Sequence, residues 1–266
     1  MIHYTGHLIN SKGRFPEHEE ARVTKQIQEL LELHKVGVGY GSLAGGADIL
    51  FAESLLARGA DLHVVAMQGW RRGDEPLRGA LPWVPPSPNM PTPDTALVYP
   101  GMGLLEGTNV SEGRGTTRPL ELFGAPDLDV PRLLADMRAL APEWLRGCVL
   151  RPCFFEPTFH KHKGALCAGV QIHVEDPTHY DHHSFQPWRL QALAFRAVRL
   201  QAPDYPLWRD FAYEYEHDRL AIDLINGGPA LREWVDDPKS KPEDLDAITK
   251  PDEAGWIETR TPHLLY

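Results

Sequence analysis

Apolar residues in the first 67 positions recur with two different periods, one typical of helices and one typical of strands. Residues 17–34 and 47–58 carry apolar side chains at helical spacing. Residues 2–9, 36–40 and 61–67 are short apolar runs, as expected for strands. This alternation predicts a parallel βαβ unit, and hence an α/β fold with a Rossmann-like front segment. The apolar sides of the two helices are expected to contain Val23, Ile27, Leu30, Leu31 and Leu33, and Ile49, Leu50, Leu55 and Leu56.

After residue 67, prolines and glycines interrupt the periodic segments. Residues 81–95 contain six prolines, which block helix formation and predict an extended ordered segment or a linker. Residues 99–117 are rich in glycine and small polar residues and are expected to form a loop that builds a site. Asp129 is expected to cap a helix, because Pro131 follows in its first turn. Strands are predicted at 148–155 and 169–174, and helices at 130–140, 186–200, 220–225 and 230–235.

These patterns predict three parts: a Rossmann-like segment over 1–67, a Pro-rich connecting segment over 68–95, and a smaller mixed α/β domain over 96–266. The formal charge of −10 argues against a general nucleic-acid binder, which needs surplus Lys and Arg. The three cysteines have no CxxC spacing and are expected to be reduced. No apolar run approaches the roughly 20 residues of a membrane span. Residues 1–7 lack the features of a signal peptide, which predicts a cytoplasmic location. The oligomeric state stays open.

Several long and irregular motifs carry a family resemblance. They are LPWVPPSPNMPTPDTALVYPG at 81–101, LLEGTNVSEGRGTTRPLELFGAP at 104–126, FFEPTFHKHKGALC at 154–167, GVQIHVED at 169–176, YEYEHDRLAIDLINGG at 213–228 and the closing HLLY at 263–266. With them, residues 67–266 resemble the exo-β-N-acetylmuramidase family of glycoside hydrolases, long catalogued as DUF1343. The resemblance implies removal of terminal N-acetylmuramic acid from peptidoglycan fragments, without a cofactor, in a cleft between a Rossmann-like domain and a smaller α/β domain.

The front segment is expected to depart from this family. Residues 39–65, GYGSLAGGADILFAESLLARGADLHVV, loosely resemble a Rossmannoid sensor segment of the SLOG type. This predicts a fusion of two fragments in which one cleft wall is replaced and hydrolytic activity is weakened or lost. The alternative to an enzyme is a module that binds muramic acid or a nucleotide without turnover.

The loop over 106–117 offers the carboxyl groups that glycoside hydrolysis commonly uses in pairs. Glu112 and Glu106 are the candidate catalytic residues. Arg114 would either hold Glu112 ionised or pair with the lactyl carboxylate of muramic acid. The glycines of the loop would allow its backbone to approach a ligand closely. The alternatives are that Glu112 and Arg114 form a salt bridge that fixes the loop, and that Glu106 caps its turn.

Further polar and aromatic residues are candidates for contact with the sugar. Prolines around Asn89 and Asp94 would hold these side chains in fixed directions, although turn formation explains them equally well. Gln171 and His173 share one strand face, which is either a cleft wall or an exposed sheet face. The candidate substrate-binding residues are Asn89, Asp94, Tyr99, Asn109, Arg114, Thr116, Gln171 and His173, with Trp70, Trp83 and Phe123 as further stacking candidates.

Two other features are expected to be structural. A group of histidines and aspartates lies between residues 160 and 183 without a catalytic zinc spacing, so a polar surface loop is expected and no metal site. Its members are His160, His162, His179, His182, His183, Asp176 and Asp181. The glycines between 39 and 46 lead into a helix, but they match no phosphate-binding motif and predict a tight turn.

Overall fold

The computed structural model divides the chain into two compact units. The first comprises Met1–Gly69 and Ala212–Asp218, and the second Trp70–Phe211 and Arg219–Tyr266. The structure describes residues 2–4, 17–41, 46–66, 68, 69, 71, 82–213 and 216–264. The predicted strand residues 5–9, the turn residues 42–45, Met67 and Trp70 lie outside the described residues. No helix in the described ranges has both the length and the apolar character needed to cross a membrane.

The first unit contains a strand–helix–strand arrangement. Strand β1 (Ile2–Tyr4) pairs in parallel with β2 (Gly39–Gly41), and helix α1 (Glu20–Leu33) lies between them in sequence. Helix α2 (Ala47–Leu56) follows β2. The α/β class is therefore confirmed, and so is the parallel pairing of the first two strands. The Rossmann-like detail is not confirmed, because residues 61–66 form no strand.

The core of the first unit is small. Among its described residues, Ile27, Leu31, Leu50 and Leu55 are buried together. Its exposed large apolar residues, among those described, are Leu30, Leu33, Val38, Tyr40, Ile49, Leu56, Leu62, Val64 and Val65. Helices α1 and α2 therefore bury part of their predicted apolar sides, in the stripe that packs between them. The third strand was predicted wrongly, because its apolar residues do not pair with β2. A cavity of about 710 Å³ lies between that segment, β2 and α2.

The second unit combines a three-stranded antiparallel sheet with helices. The strands are β3 (Leu122–Ala125), β4 (Val149–Phe155) and β5 (Cys167–His173), with β5 in the centre. The helices are α3 (Pro93–Met102), α4 (Val130–Leu140), α5 (Pro187–Gln201), α6 (Ala221–Ile225), α7 (Ala230–Asp236) and α8 (Pro242–Arg260). One sheet face packs into the main core with α5, through residues such as Phe123, Val170 and Leu193. Phe123 is thus part of the core, and its predicted role in stacking on a sugar was wrong.

Most predicted elements of this unit are confirmed within one or two residues, and two helices were missed. The Asp129 side chain accepts a hydrogen bond from the Arg132 amide and caps α4 as predicted. Helix α3 was missed because it contains Pro100, and α8 because it contains Pro251. Thr92 caps α3 and Pro93 occupies its first turn, where a missing N–H costs nothing. The Pro-rich segment therefore ends in a helix rather than continuing as an extended chain.

Candidate active site

The loop after α3 is shaped by close contacts at its glycines. A side chain at Gly107 would collide with the backbone of Ile222, and one at Gly115 would lie 2.7 Å from the Thr158 amide nitrogen. Gly113 and Gly115 also adopt positive φ angles of 72° and 83°, which favour glycine. Close approach of a ligand at these glycines stays a prediction, while the structure shows a packing role for them. They let neighbouring segments of the same unit pack against the loop.

This packing brings a second loop onto the first. The amide and hydroxyl of Thr158 both donate hydrogen bonds to the Gly115 carbonyl, at 3.2 and 2.9 Å. The next residues, His160 and Lys161, then reach Glu112. Both residues were missed by the sequence analysis, which assigned His160 to a polar surface loop. The remaining signal was the basic run HKHK between Phe159 and Gly164.

Glu112 is the centre of a buried ionic cluster and is only 1% exposed. Its Oε1 atom accepts a hydrogen bond from Arg114 Nε at 2.6 Å and lies 3.2 Å from His160 Nδ1. Its Oε2 atom lies 2.6 Å from Lys161 Nζ. The predicted salt bridge between Glu112 and Arg114 is therefore present, as one part of a four-residue cluster. A cluster of this kind fixes the carboxylate in position and charge state.

Lys161 joins this carboxylate to the backbone of the first loop. Its ammonium group donates to the carbonyls of Leu105, Thr108 and Val110 at 2.7, 3.1 and 2.8 Å. Each of the three N–H groups of the Lys161 ammonium thus has a backbone acceptor. The contact between Lys161 and Glu112 is therefore mainly an attraction between opposite charges. The side chain is 7% exposed and acts as an internal clamp on the loop.

Burial and charge act in opposite directions on these groups. Desolvation alone would raise the pKa of Glu112, but Lys161 and Arg114 outweigh it and hold the pKa below its ordinary value. Burial lowers the pKa of Lys161 to about 8, although Glu112 acts in the opposite direction. Burial also lowers the pKa of His160 from its usual value. Near neutral pH the cluster therefore contains an ionised Glu112 and a neutral His160.

The histidines of the second loop adopt an uncommon backbone conformation. His160 and His162 have φ angles of 68° and 55°, in the left-handed region. For residues other than glycine this costs on the order of 1–3 kcal/mol, and such residues concentrate at functional sites. The ring Nε2 of His162 lies 2.7 Å from the Asn109 carbonyl oxygen, which ties this strained turn to the first loop.

Glu106 is the more accessible of the two predicted carboxylates. Its side chain is 35% exposed, and its Oε2 atom lies 4.0 Å from Arg114 Nη2. Arg114 is therefore shared between Glu106 and Glu112, which leaves less of its guanidinium for a substrate. Of the two roles predicted for Arg114, the contacts favour holding Glu112.

Asn109 and Thr116 direct their side chains to backbone groups. The Asn109 side chain donates to the Pro206 carbonyl, and the Thr116 hydroxyl donates to the Gly113 carbonyl at 2.6 Å. Their contacts in the structure are those of loop stabilisation. A role for either in substrate binding stays a prediction.

Gln171 and His173 lie on the face of β5 opposite the main core. Arg151 of β4 crosses this face, donating from Nε to His173 Nε2 at 3.0 Å and from a terminal nitrogen to Gln171 Oε1. The other ring nitrogen of His173 contacts Glu175. The two predicted residues are thus brought together in one polar chain, with Arg151 as a member that the sequence did not indicate.

The remaining candidates for contact with the sugar precede the loop over 106–117 in the sequence. Asn89 lies in a turn, where its amide donates to the Ser87 hydroxyl, and Asp94 lies in the first turn of α3. Tyr99 is exposed on α3, and the Trp83 ring nitrogen donates to the Met90 carbonyl at 2.9 Å. Their predicted contact with a sugar stays a prediction.

The later histidines and aspartates form turns. Asp176 accepts hydrogen bonds from the amide and hydroxyl of Thr178, and Asp181 accepts from the His183 amide and the Ser184 hydroxyl. Within the described part of the chain, no group of three or more His, Cys, Asp or Glu residues is placed to hold a metal ion.

Comparisons with known proteins converge on one family. The family model for the carboxy-terminal part of exo-beta-N-acetylmuramidase NamZ matches residues 97–266, and the model for its amino-terminal part matches residues 18–94. The second match overlaps the segment expected to depart from the family, so that expectation was wrong for residues 18–60. The SLOG-type resemblance of residues 39–65 stays a prediction.

Two individual proteins illustrate the likeness and its extent. Peptidoglycan beta-N-acetylmuramidase NamZ of Bacillus subtilis (strain 168) is 44% identical over 144 residues, which cover 54% of this chain and 34% of the relative. A crystal structure of a DUF1343 family protein from Bacteroides fragilis NCTC 9343 has a TM-score of 0.54 and 27% identity, and the match covers 72% of this chain and 49% of that one. The chain thus spans about a third of the curated relative and about half of the solved structure.

Proposed function

Because the chain belongs to the exo-beta-N-acetylmuramidase NamZ family, we propose that it hydrolyses the bond to a terminal β-N-acetylmuramyl residue of peptidoglycan fragments. The observation that supports chemistry at the predicted loop is the ionised Glu112 beside His160, which lie 3.2 Å apart. A carboxylate this close to an imidazole nitrogen favours one orientation and tautomer of the ring and leaves its other nitrogen available for proton transfer.

The roles follow from accessibility. Glu112 is buried and both of its oxygen atoms are engaged, so we assign it to orienting His160 rather than to donating a proton. The His160 side chain is 34% exposed and that of Glu106 is 35% exposed, which lets both meet a substrate. We therefore propose Glu106 and His160 as the groups that exchange protons with the glycosidic oxygen and with water.

A muramyl-binding module without turnover is the second candidate. The observation that favours it is that the carboxylate with the most contacts, Glu112, has no accessible oxygen atom. In that case the ionic cluster would serve to hold the loop, and the exposed residues around it would bind the sugar.

The test is release of a chromogenic leaving group from a β-N-acetylmuramide, with calorimetry of N-acetylmuramic acid binding in parallel. Glu106→Gln and His160→Gln are each expected to lower kcat by about 10²–10⁴-fold, as for loss of a general acid or base. Glu143→Gln is the matched control, because Glu143 is an exposed carboxylate outside the cluster. Normal rates in both site variants would contradict the assigned roles. Binding without turnover in the unmutated protein would favour the second candidate.

A further inference from the structure

Arg209 is held beside the candidate active site by the backbone. The Leu207 carbonyl accepts a hydrogen bond from the Asn109 amide at 2.8 Å, and the Arg209 amide donates to the Gly107 carbonyl at 3.0 Å. Thr108 and Trp208 form an antiparallel bridge between these two contacts. Three successive residues are therefore fixed along the loop that carries Glu106 and Glu112.

The Arg209 side chain is oriented by an aromatic ring. Its guanidinium carbon lies 4.1 Å from the centroid of the Phe211 ring, within cation–π distance. The residue is half-buried, and its charge acts on both His160 and Lys161, lowering the pKa of each. The guanidinium is thus part of the site electrostatically as well as by position.

The carboxylates near Arg209 are paired with other cations. Arg114 is paired with Glu112 and Glu106, and Lys161 with Glu112. In the ranges that the structure describes, Arg209 forms no ion pair with any carboxylate. At pH 7 two carboxylates thus face the three cations Arg114, Lys161 and Arg209, because the lowered pKa of His160 leaves its ring neutral. A half-buried guanidinium in this position gains most from an anion supplied by a ligand.

We propose that Arg209 binds the carboxylate of the substrate and thereby selects muramyl over glucosaminyl sugars. The inference rests on the proposed function, since N-acetylmuramic acid differs from N-acetylglucosamine by a lactyl ether that carries one carboxylate. The guanidinium matches a carboxylate with two parallel N–H donors. Arg209 takes over the role that the sequence suggested for Arg114, whose guanidinium is occupied.

The experiment compares two ligands and two substrates in the full chain. Kd is measured for N-acetylmuramic acid and N-acetylglucosamine, and kcat/KM for the chromogenic β-glycosides of both sugars. Arg209→Gln is expected to weaken muramyl binding and lower muramyl kcat/KM by about 10- to 100-fold, the size of a charged hydrogen-bonded contact. The values for the glucosaminyl compounds should change much less, because Arg209 acts on them only through its charge at His160 and Lys161. Arg209→Lys keeps the charge but loses the paired N–H donors of the guanidinium. Its muramyl Kd and kcat/KM should lie between those of the unmutated protein and those of Arg209→Gln.

The matched control is Arg138→Gln, an exposed arginine on α4. Equal losses on muramyl and glucosaminyl compounds would overturn the proposal, because Arg209 would then act through the ionic cluster. Unchanged values on both would also overturn it, as would equal affinity of the unmutated protein for the two sugars. If the muramyl preference in Kd depends on Arg209 but no glycoside is hydrolysed, the proposed hydrolysis fails and the assignment of Arg209 stands.

Discussion

At the scale of single residues, Lys161 controls the charge state of the cluster. Its pKa of about 8 lies within reach of ordinary assay conditions. The ammonium loses its proton as the pH rises through that value, and the attraction to Glu112 and the clamp on the loop are then weakened. We expect activity to fall above about pH 8, and this fall to be absent in Lys161→Arg, which keeps its charge at all accessible pH values.

The measurement is the pH dependence of kcat/KM from pH 6 to 10 (about two units either side of the Lys161 pKa). Lys161→Arg changes the shape as well as the charge, so its rate at pH 7 is compared with that of Lys161→Met. An arginine variant more active than the methionine variant, with no decline near pH 8, supports the clamp. A decline at the same pH in the arginine variant would assign that titration to another group.

The ion pair between Glu112 and Lys161 also predicts an effect on the stability of the fold. Removing the charge of Glu112 leaves Lys161 buried without an anion, which typically costs about 3–5 kcal/mol. Glu112→Leu should therefore lower the free energy of unfolding strongly, and adding Lys161→Met should recover part of the loss. Urea denaturation of both single variants and of the double variant gives the coupling. Purely additive losses would contradict a direct interaction between the two side chains.

Acid should act on this pair in the same direction as Glu112→Leu. The folded protein holds the pKa of Glu112 below its ordinary 4.5, so its contribution to stability is complete above that value. The contribution is lost as the pH falls through the lowered pKa. The difference in unfolding free energy between the unmutated protein and Glu112→Leu should thus shrink as the pH falls below 4.5.

How far the sequence could predict this site depends on the distance between residues along the chain. Glu112, Arg114 and Glu106 lie in one motif, so their contact follows from spacing alone. Lys161, His160 and Arg209 join them only through the folding of two other segments. A single sequence gives no measure of such long-range proximity. The basic run at 160–163 is a local signal, but it predicts a solvated turn equally well.

At the scale of elements, alanine substitutions at two glycines can distinguish the stability cost of backbone strain from that of close packing. Gly115 and Gly164 have similar φ angles, 83° and 73°, but only Gly115 lies within collision distance of another backbone segment. Gly164→Ala should cost about 1–2 kcal/mol, the penalty of a left-handed conformation. Gly115→Ala should cost about 1–3 kcal/mol more, because Thr158 must move.

Thermal unfolding and glycoside hydrolysis should be measured together for both glycine variants. Displacement of the loop at Thr158 also displaces His160, so Gly115→Ala should lose activity and Gly164→Ala should retain most of it. Equal losses of stability would show that conformation alone matters at both positions. Full activity in a destabilised Gly115→Ala would separate the loop contact from the site.

Elements with prolines mark a second limit of sequence-based prediction. Proline has no backbone N–H and therefore cannot donate a hydrogen bond within a helix. A helix packed against a core nevertheless tolerates the loss of one such bond. Helix α3 packs against α5 so closely that a side chain at Gly101 would collide with the Pro187 carbonyl. That tertiary contact compensates for Pro100 and is not visible in the local pattern.

At the scale of the whole molecule, the two units differ in how much apolar surface they bury. The second unit has a continuous core that includes Phe123, Leu193 and Trp234, and its elements largely follow the sequence pattern. In the first unit some residues of the apolar pattern are not buried, since Leu33 and Val65 are 72% and 95% exposed. Periodicity predicts which residues share a face, but whether a face is covered depends on the neighbouring elements.

This contrast leads to a prediction about unfolding. Each unit has its own apolar cluster, and the cluster of the first unit is small, so the first unit should unfold at a lower denaturant concentration. All seven tryptophans lie at position 70 or beyond and none within 212–218, so every one belongs to the second unit. Far-ultraviolet circular dichroism should therefore show an early loss of helix, from α1 and α2, that tryptophan fluorescence does not follow.

Matched core substitutions assign the two transitions. Leu31 and Leu133 are 0% and 1% exposed in the first and second unit, and Leu→Ala at such positions typically costs about 2–5 kcal/mol. Leu31→Ala should shift only the early dichroism transition to lower urea, and Leu133→Ala only the transition that fluorescence reports. If the two probes coincide in the unmutated protein and both substitutions shift the single transition, the units unfold as one cooperative body and the prediction is wrong. A separate early transition that Leu31→Ala leaves unmoved would assign that loss of helix to the second unit instead.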